Sequence, residues 1–152
     1  MVMIPTNRGD KYRKLVSEQA LLREKFPFLN SRISGLELTC RGRIQPTEHS
    51  RDYRVEIRYA PWDSPEVRVI DPKIDFIKDA HMYRNGTLCL YDWREQPWQK
   101  HWHLHETILP WTAEWLLYYE IWLLTGRWLG KSAVHCKSTS HDSTPPVDVI
   151  RN

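Results

Sequence analysis

The spacing of apolar residues changes once along this chain, and that change limits it to an α+β fold. From Asp10 to Phe26, residues Tyr12, Leu15, Val16, Leu22 and Phe26 fall on one arc at helical spacing, with Arg, Lys and Glu elsewhere. Asp10 can cap this helix and Pro27 stops it. The period then becomes two. Leu36, Leu38 and Cys40 alternate with Glu37, Thr39 and Arg41, and Tyr53, Val55, Ile57 and Tyr59 alternate with Arg54, Glu56 and Arg58. Alternation of this kind puts one face on a core and the other in water, which is the pattern of antiparallel strands. A further strand, Glu66 to Ile70, closes at Asp71-Pro72, so a helix leads into a three- or four-strand meander.

Residues Lys73 to Trp98 hold no period and carry Asn85-Gly86 and Pro97, which predicts an irregular surface segment. Loops held on a rigid scaffold are where chemistry concentrates. Thr107 to Leu124 is apolar nearly all round, predicting a helix packed on several sides, with Pro110 in its first turn and Gly126 in a left-handed cap. Beyond Gly130 the chain turns polar and rich in Ser and Thr. The expected organisation is one domain over residues 1–130 and a loosely ordered tail over 131–152.

Several function classes lose support from composition. Twenty-two basic residues against nineteen acidic ones make a mixed surface, which does not favour nucleic acid as the partner. The Ile108 to Leu124 run is broken by Pro110, Thr112, Glu114 and Glu120, against a membrane span. The first residues lack the apolar run of a secretion signal, so the expected location is cytoplasmic and the thiols are expected reduced. Three cysteines, Cys40, Cys89 and Cys136, are too few for a disulfide framework, and no C-x-x-C pair suggests zinc. There is no Gly-rich phosphate loop, and no cofactor is expected.

The informative string runs from His81 to Leu90, because it sets a cysteine just past an Asn-Gly turn in an irregular segment. A thiol is nucleophilic once a modest thiolate fraction exists, and its ester stays reactive toward amines. Acyl transfer then requires a donor for the developing oxyanion. Tyr83-x-Asn85-Gly86-x-Leu88-Cys89-Leu90 resembles the active-site string of ubiquitin-conjugating enzymes, and the order of elements over roughly residues 10 to 130 agrees with that fold. The Tyr119-Glu-x-Trp122-x-x-Thr-Gly126-x-Trp128-x-Gly130 pattern is similar to divergent bacterial members found in anti-phage (CBASS type II) operons.

The resemblance implies that Cys89 carries the C-terminus of a partner protein as a thioester and passes it to an amine. It implies a protein acyl donor, a cyclic-oligonucleotide synthase (nucleotidyltransferase) or a ubiquitin-like protein, with a separate activating enzyme as a possible third party. Asp79-Ala80-His81 stands where His-Pro-Asn is expected, so the usual oxyanion asparagine is replaced by His81. An imidazole can donate a hydrogen bond as an amide does, and it can also move a proton near neutral pH. His81 is therefore the expected oxyanion donor or proton shuttle, with Asn85 as its rival. Tyr83, Asn85 and Gly86 are expected to shape the loop.

Other readings stay open beside this one. His101, His103 and His105 alternate, which could set three imidazoles on one side for zinc or bring one to Cys89 as its base. Seven of the eight tryptophans fall between Trp93 and Trp128. Trp111, Trp115 and Trp122 recur at helical spacing, which points to a core, although stacked nucleobases are a second use for such rings. Cys40 shares a face with Leu36 and Leu38 and is expected in the core, whereas Cys136 sits in the tail. A catalytically inert docking domain of the same fold is the alternative to the enzyme.

Overall fold

A computed structural model describes residues 1–3, 6–78 and 80–130 of the chain. The order is α1 (Thr6–Lys25), β1 (Asn30–Ser34), β2 (Glu37–Ile44), β3 (Tyr53–Tyr59), β4 (Glu66–Asp71) and α2 (Ile108–Thr125). The strands form one antiparallel sheet in the order β1-β2-β3-β4. This is the expected α+β arrangement, with the meander at four strands. The extra strand is β1, whose Asn-Ser-Arg-Ile-Ser sequence carries one apolar residue and no alternation strong enough to read. It turns at Gly35, in the left-handed region at φ 59°, and pairs Ile33 with Leu38.

Register decides which side chains enter the core. Cys40 faces Ile57, which faces Val67, and Gly42 faces Val55, which faces Val69, so one sheet face is continuously apolar. The opposite face carries Arg32, Arg41, Arg43, Arg54, Arg58 and Arg68, all exposed. Burial works against the charge of Glu56 on that face, yet hydrogen bonds and attraction from Arg41 and Arg58 hold its carboxyl below the usual range.

α1 begins four residues before Asp10 and presents a different stripe from the expected one. Leu15 and Leu22 are buried, but Tyr12 and Val16 are 50% and 42% exposed. The third buried residue of the stripe is Glu18, fully inaccessible. Its carboxylate accepts from Lys14 Nζ at 2.8 Å and Leu104 N–H at 3.0 Å, and lies 2.8 Å from His103 Nδ1. Lys14 Nζ also donates to the Trp102 carbonyl at 3.0 Å. A buried carboxylate survives only with such partners. It thereby clips α1 to the segment that leads into α2.

α2 also departs from expectation. Ile108, Leu109, Thr112, Trp115 and Leu116 are buried, but Leu123 and Leu124 are 57% and 86% exposed, so only the first three turns are seated in the core. Its lower half is fastened by Glu120, which accepts from Tyr53 Oη at 3.0 Å and Ser50 Oγ at 2.7 Å. Gly126, at φ 70°, caps the helix through its N–H to the Trp122 carbonyl at 2.7 Å. Among the described residues no helix is long and apolar enough to cross a membrane. The tail over 131–152, with Cys136, lies outside the described residues.

Replacing Glu18 by Ala strands the Lys14 ammonium and the Leu104 N–H without their buried acceptor. The expected loss of stability is about 3 kcal/mol, measured by urea unfolding.

Candidate functional site

The segment between β4 and α2 is irregular, but it is tied down at its centre. Met82 and Leu88 form an isolated antiparallel bridge, Tyr83 N–H donates to the Thr87 carbonyl at 2.9 Å, and Gly86 N–H donates to the Tyr83 carbonyl at 3.0 Å. Gly86 sits at φ 86°, where a side chain is strained. Asn85 completes the turn: its Oδ1 accepts from Thr87 N–H at 3.0 Å and Thr87 Oγ1 at 2.6 Å. Tyr83, Asn85 and Gly86 therefore build one tight turn. Asn85 has its amide oxygen committed there and does not line the cavity beside Cys89.

This turn is docked on the sheet and on α2. Leu88 N–H donates to the Val67 carbonyl at 2.8 Å, adding the segment to the edge of β4. Cys89 N–H donates to the His81 carbonyl at 2.9 Å, and the same oxygen accepts the Trp115 indole N–H at 3.0 Å. His81 holds φ 28°, a left-handed value that a histidine adopts only when its surroundings enforce it. Two donors converging on its carbonyl supply that constraint.

Cys89 and His81 line one cleft of about 310 Å³. Its polar lining includes Asp92, Glu95 and Glu114, and Trp111, Trp115, Tyr118 and Trp128 form an aromatic wall. The Trp128 ring stacks on the His81 imidazole with centroids 5.7 Å apart and planes within 16°. The irregular segment expected at the surface does not leave its cysteine exposed. Cys89 is 4% exposed and His81 7%, so both sit at the base of the cleft rather than on a turn. The Cys89 sulfur lies 3.6 Å from the Tyr91 carbonyl oxygen. Cys40 is a free, buried thiol beneath the sheet, and desolvation pushes its pKa up to about 11.

The three alternating histidines go elsewhere. His103 pairs with Glu18 and stacks on His105 at 5.6 Å, and none of the three lines the cleft of Cys89. Among the described residues no group of His, Cys, Asp and Glu is placed to hold a metal ion. Trp98, Trp102 and Trp111 pack in one cluster with Tyr91, edge-to-face at Trp98–Trp102, Trp102–Trp111 and Tyr91–Trp102, and Trp115 is buried.

Residues 18–136 match the family model for the type II CBASS E2 protein. The chain belongs to that family. The match begins within α1 and takes in the whole sheet, the Cys89 segment and α2. The CBASS E2 family name places the chain in anti-phage defence. A comparison with curated proteins gave no match. Two site features escaped the reading of this CBASS E2 sequence. Trp115 was legible only as a core residue, and its indole N–H proves to hold the His81 carbonyl. The acidic wall of Asp92, Glu95 and Glu114 comes from two segments that only the fold brings together.

Replacing Asn85 by Ala removes both acceptor bonds of the turn, with an expected loss of about 1 kcal/mol in chemical denaturation. In fully reduced protein at pH 8, a thiol with the Cys40 pKa is only about 0.1% ionised. Iodoacetamide is expected to leave Cys40 unlabelled in the native state and to modify it on unfolding, as read by peptide mass spectrometry.

Proposed function

We propose that this protein is a conjugating enzyme in which reduced Cys89 accepts the activated C-terminus of a partner protein as a thioester and transfers it to an amine. One observation carries this reading: Cys89 and His81 line the same cleft, and the Cys89 N–H is bound to the His81 carbonyl. In the forward step the Cys89 thiolate attacks the acyl carbon, a carbon–sulfur bond forms, and the activating group leaves. In the second step the amine attacks the thioester, the carbon–sulfur bond breaks, and the amine's proton goes to the departing thiolate or to water as the amide forms.

His81 donates a hydrogen bond to the tetrahedral oxyanion in both steps. It stands in the position where the conjugating enzymes that this chain resembles carry asparagine. The site is largely withdrawn from water, which strengthens any hydrogen bond to a developing charge and protects the thioester from hydrolysis. The acyl donor on this reading is a nucleotidyltransferase or a ubiquitin-like protein. Activation is supplied by a separate enzyme or by a pre-activated donor. The exposed apolar residues Leu123 and Leu124 at the end of α2, with Leu129 just beyond it, favour a second reading in which the domain docks a protein without chemistry.

The reduced protein is mixed with a nucleotidyltransferase from the same operon and its activating partner, and intact mass is recorded. The expected result is a thiol-labile adduct on Cys89, a thiol-resistant oxygen ester with Cys89→Ser and no adduct with Cys89→Ala. An adduct elsewhere, or biological activity retained by Cys89→Ala, favours docking instead. His81→Ala is expected to slow discharge of the thioester to an amine by about 100-fold, with His81→Asn restoring part of it.

A further inference from the structure

The aromatic wall of the cleft does more than exclude water. Trp128 lies just beyond α2, and its ring stacks on the imidazole of His81 with near-parallel planes and centroids 5.7 Å apart. That placement is itself held by α2. Trp115 packs on Trp128 at 5.3 Å and Tyr118 at 6.0 Å, each tilted by more than 50°. Gly130 lets the chain fold back against it. A Cβ at position 130 would fall 2.6 Å from Trp128 Nε1 and 3.1 Å from Tyr118 Cδ2, so any side chain there pushes the indole off its seat.

Stacking on an indole has two consequences for an imidazole. It removes free rotation about the ring's bond to Cβ, which fixes the direction of its N–H groups. The negative face of the indole also favours the imidazolium over the neutral ring. We infer that Trp128 is a positioning residue for the proposed acyl transfer, clamping the His81 ring so that its N–H is aimed in advance and its protonated form is favoured. This inference rests on the reading of His81 as the oxyanion donor. Other titratable groups share the cleft: Cys89, Tyr91, Asp92 and Glu95 from the segment after His81, and Glu114 and Tyr118 from α2. The three carboxylates act in the same sense as the indole, and burial of the imidazole acts against both.

The test is an NMR titration of the histidine ring protons in the full-length, reduced protein, with the His81 signal assigned by its loss in His81→Asn. Replacing Trp128 by Leu is expected to lower the titration midpoint of His81 by about half a pH unit, and Trp128→Phe to retain most of the wild-type value. The alkaline limb of the pH profile for thioester discharge to hydroxylamine is expected to move down by the same amount. A packing role alone would lower stability and leave both midpoints in place. Should Trp128→Leu fail to fold, Gly130→Ala displaces the ring without deleting it, and the same downward shift is expected.

An unchanged His81 midpoint in these variants overturns the clamp, even if wild-type protein forms its adduct on Cys89. A Phe variant that titrates like the Leu variant also overturns it, because stacking would then not be the agent. A shifted midpoint in a protein that forms no adduct leaves the clamp standing and removes the conjugating function.

Discussion

One carbonyl oxygen organises the site. The His81 carbonyl takes the amide of Cys89 from its own segment and the indole of Trp115 from α2, so the Cys89 segment and α2 share a single acceptor. An acceptor buried in an apolar setting must be matched, and a carbonyl with two donors is well matched. The geometry around it follows. His81 is bent into a left-handed backbone, its side chain meets Trp128, and Cys89 is delivered to the same cleft. The rest of the fold supplies a rigid frame on which this small junction is mounted.

That frame depends on polar joints as much as on apolar burial. Glu18 ties α1 to the approach of α2, and Glu120 ties α2 to the β2–β3 connection and to Tyr53. Both carboxylates lie on helices and reach across to other elements. Helices docked only by apolar contact can slide or rotate by a fraction of a turn, whereas these acceptors have one geometry each.

Much of the fold was written in the periodicity. The three strands with clear alternation, the irregular stretch after them and the Gly126 cap could be read because each depends on neighbours in sequence. What could not be read depended on partners far away. The stripe of α1 passes through Glu18 rather than Tyr12 and Val16, because donors from Lys14 and Leu104, with the His103 ring beside them, make burial of a carboxylate tolerable. β1 is nearly all polar and is strand only because β2 pairs with it. α2 was expected to be enclosed and is enclosed for part of its length. The string from Tyr83 to Leu90 carried its own turn, so Gly86 and Asn85 were legible in shape. The burial of Cys89 was not, since an Asn-Gly turn says nothing of what is packed over it.

The way the Cys89 segment is anchored also bears on how the molecule behaves in a crowded solution. A sheet whose outermost strand exposes open N–H and C=O groups invites a neighbouring molecule to extend it. On the β4 side the Val67 carbonyl is already taken by Leu88. On the far side β1 is five residues long and carries an exposed Arg32 in a strand with one apolar residue. The bond that seats the cysteine thus also blunts one flank of the sheet, so a change that loosened this segment would promote self-association as well as misplace the sulfur.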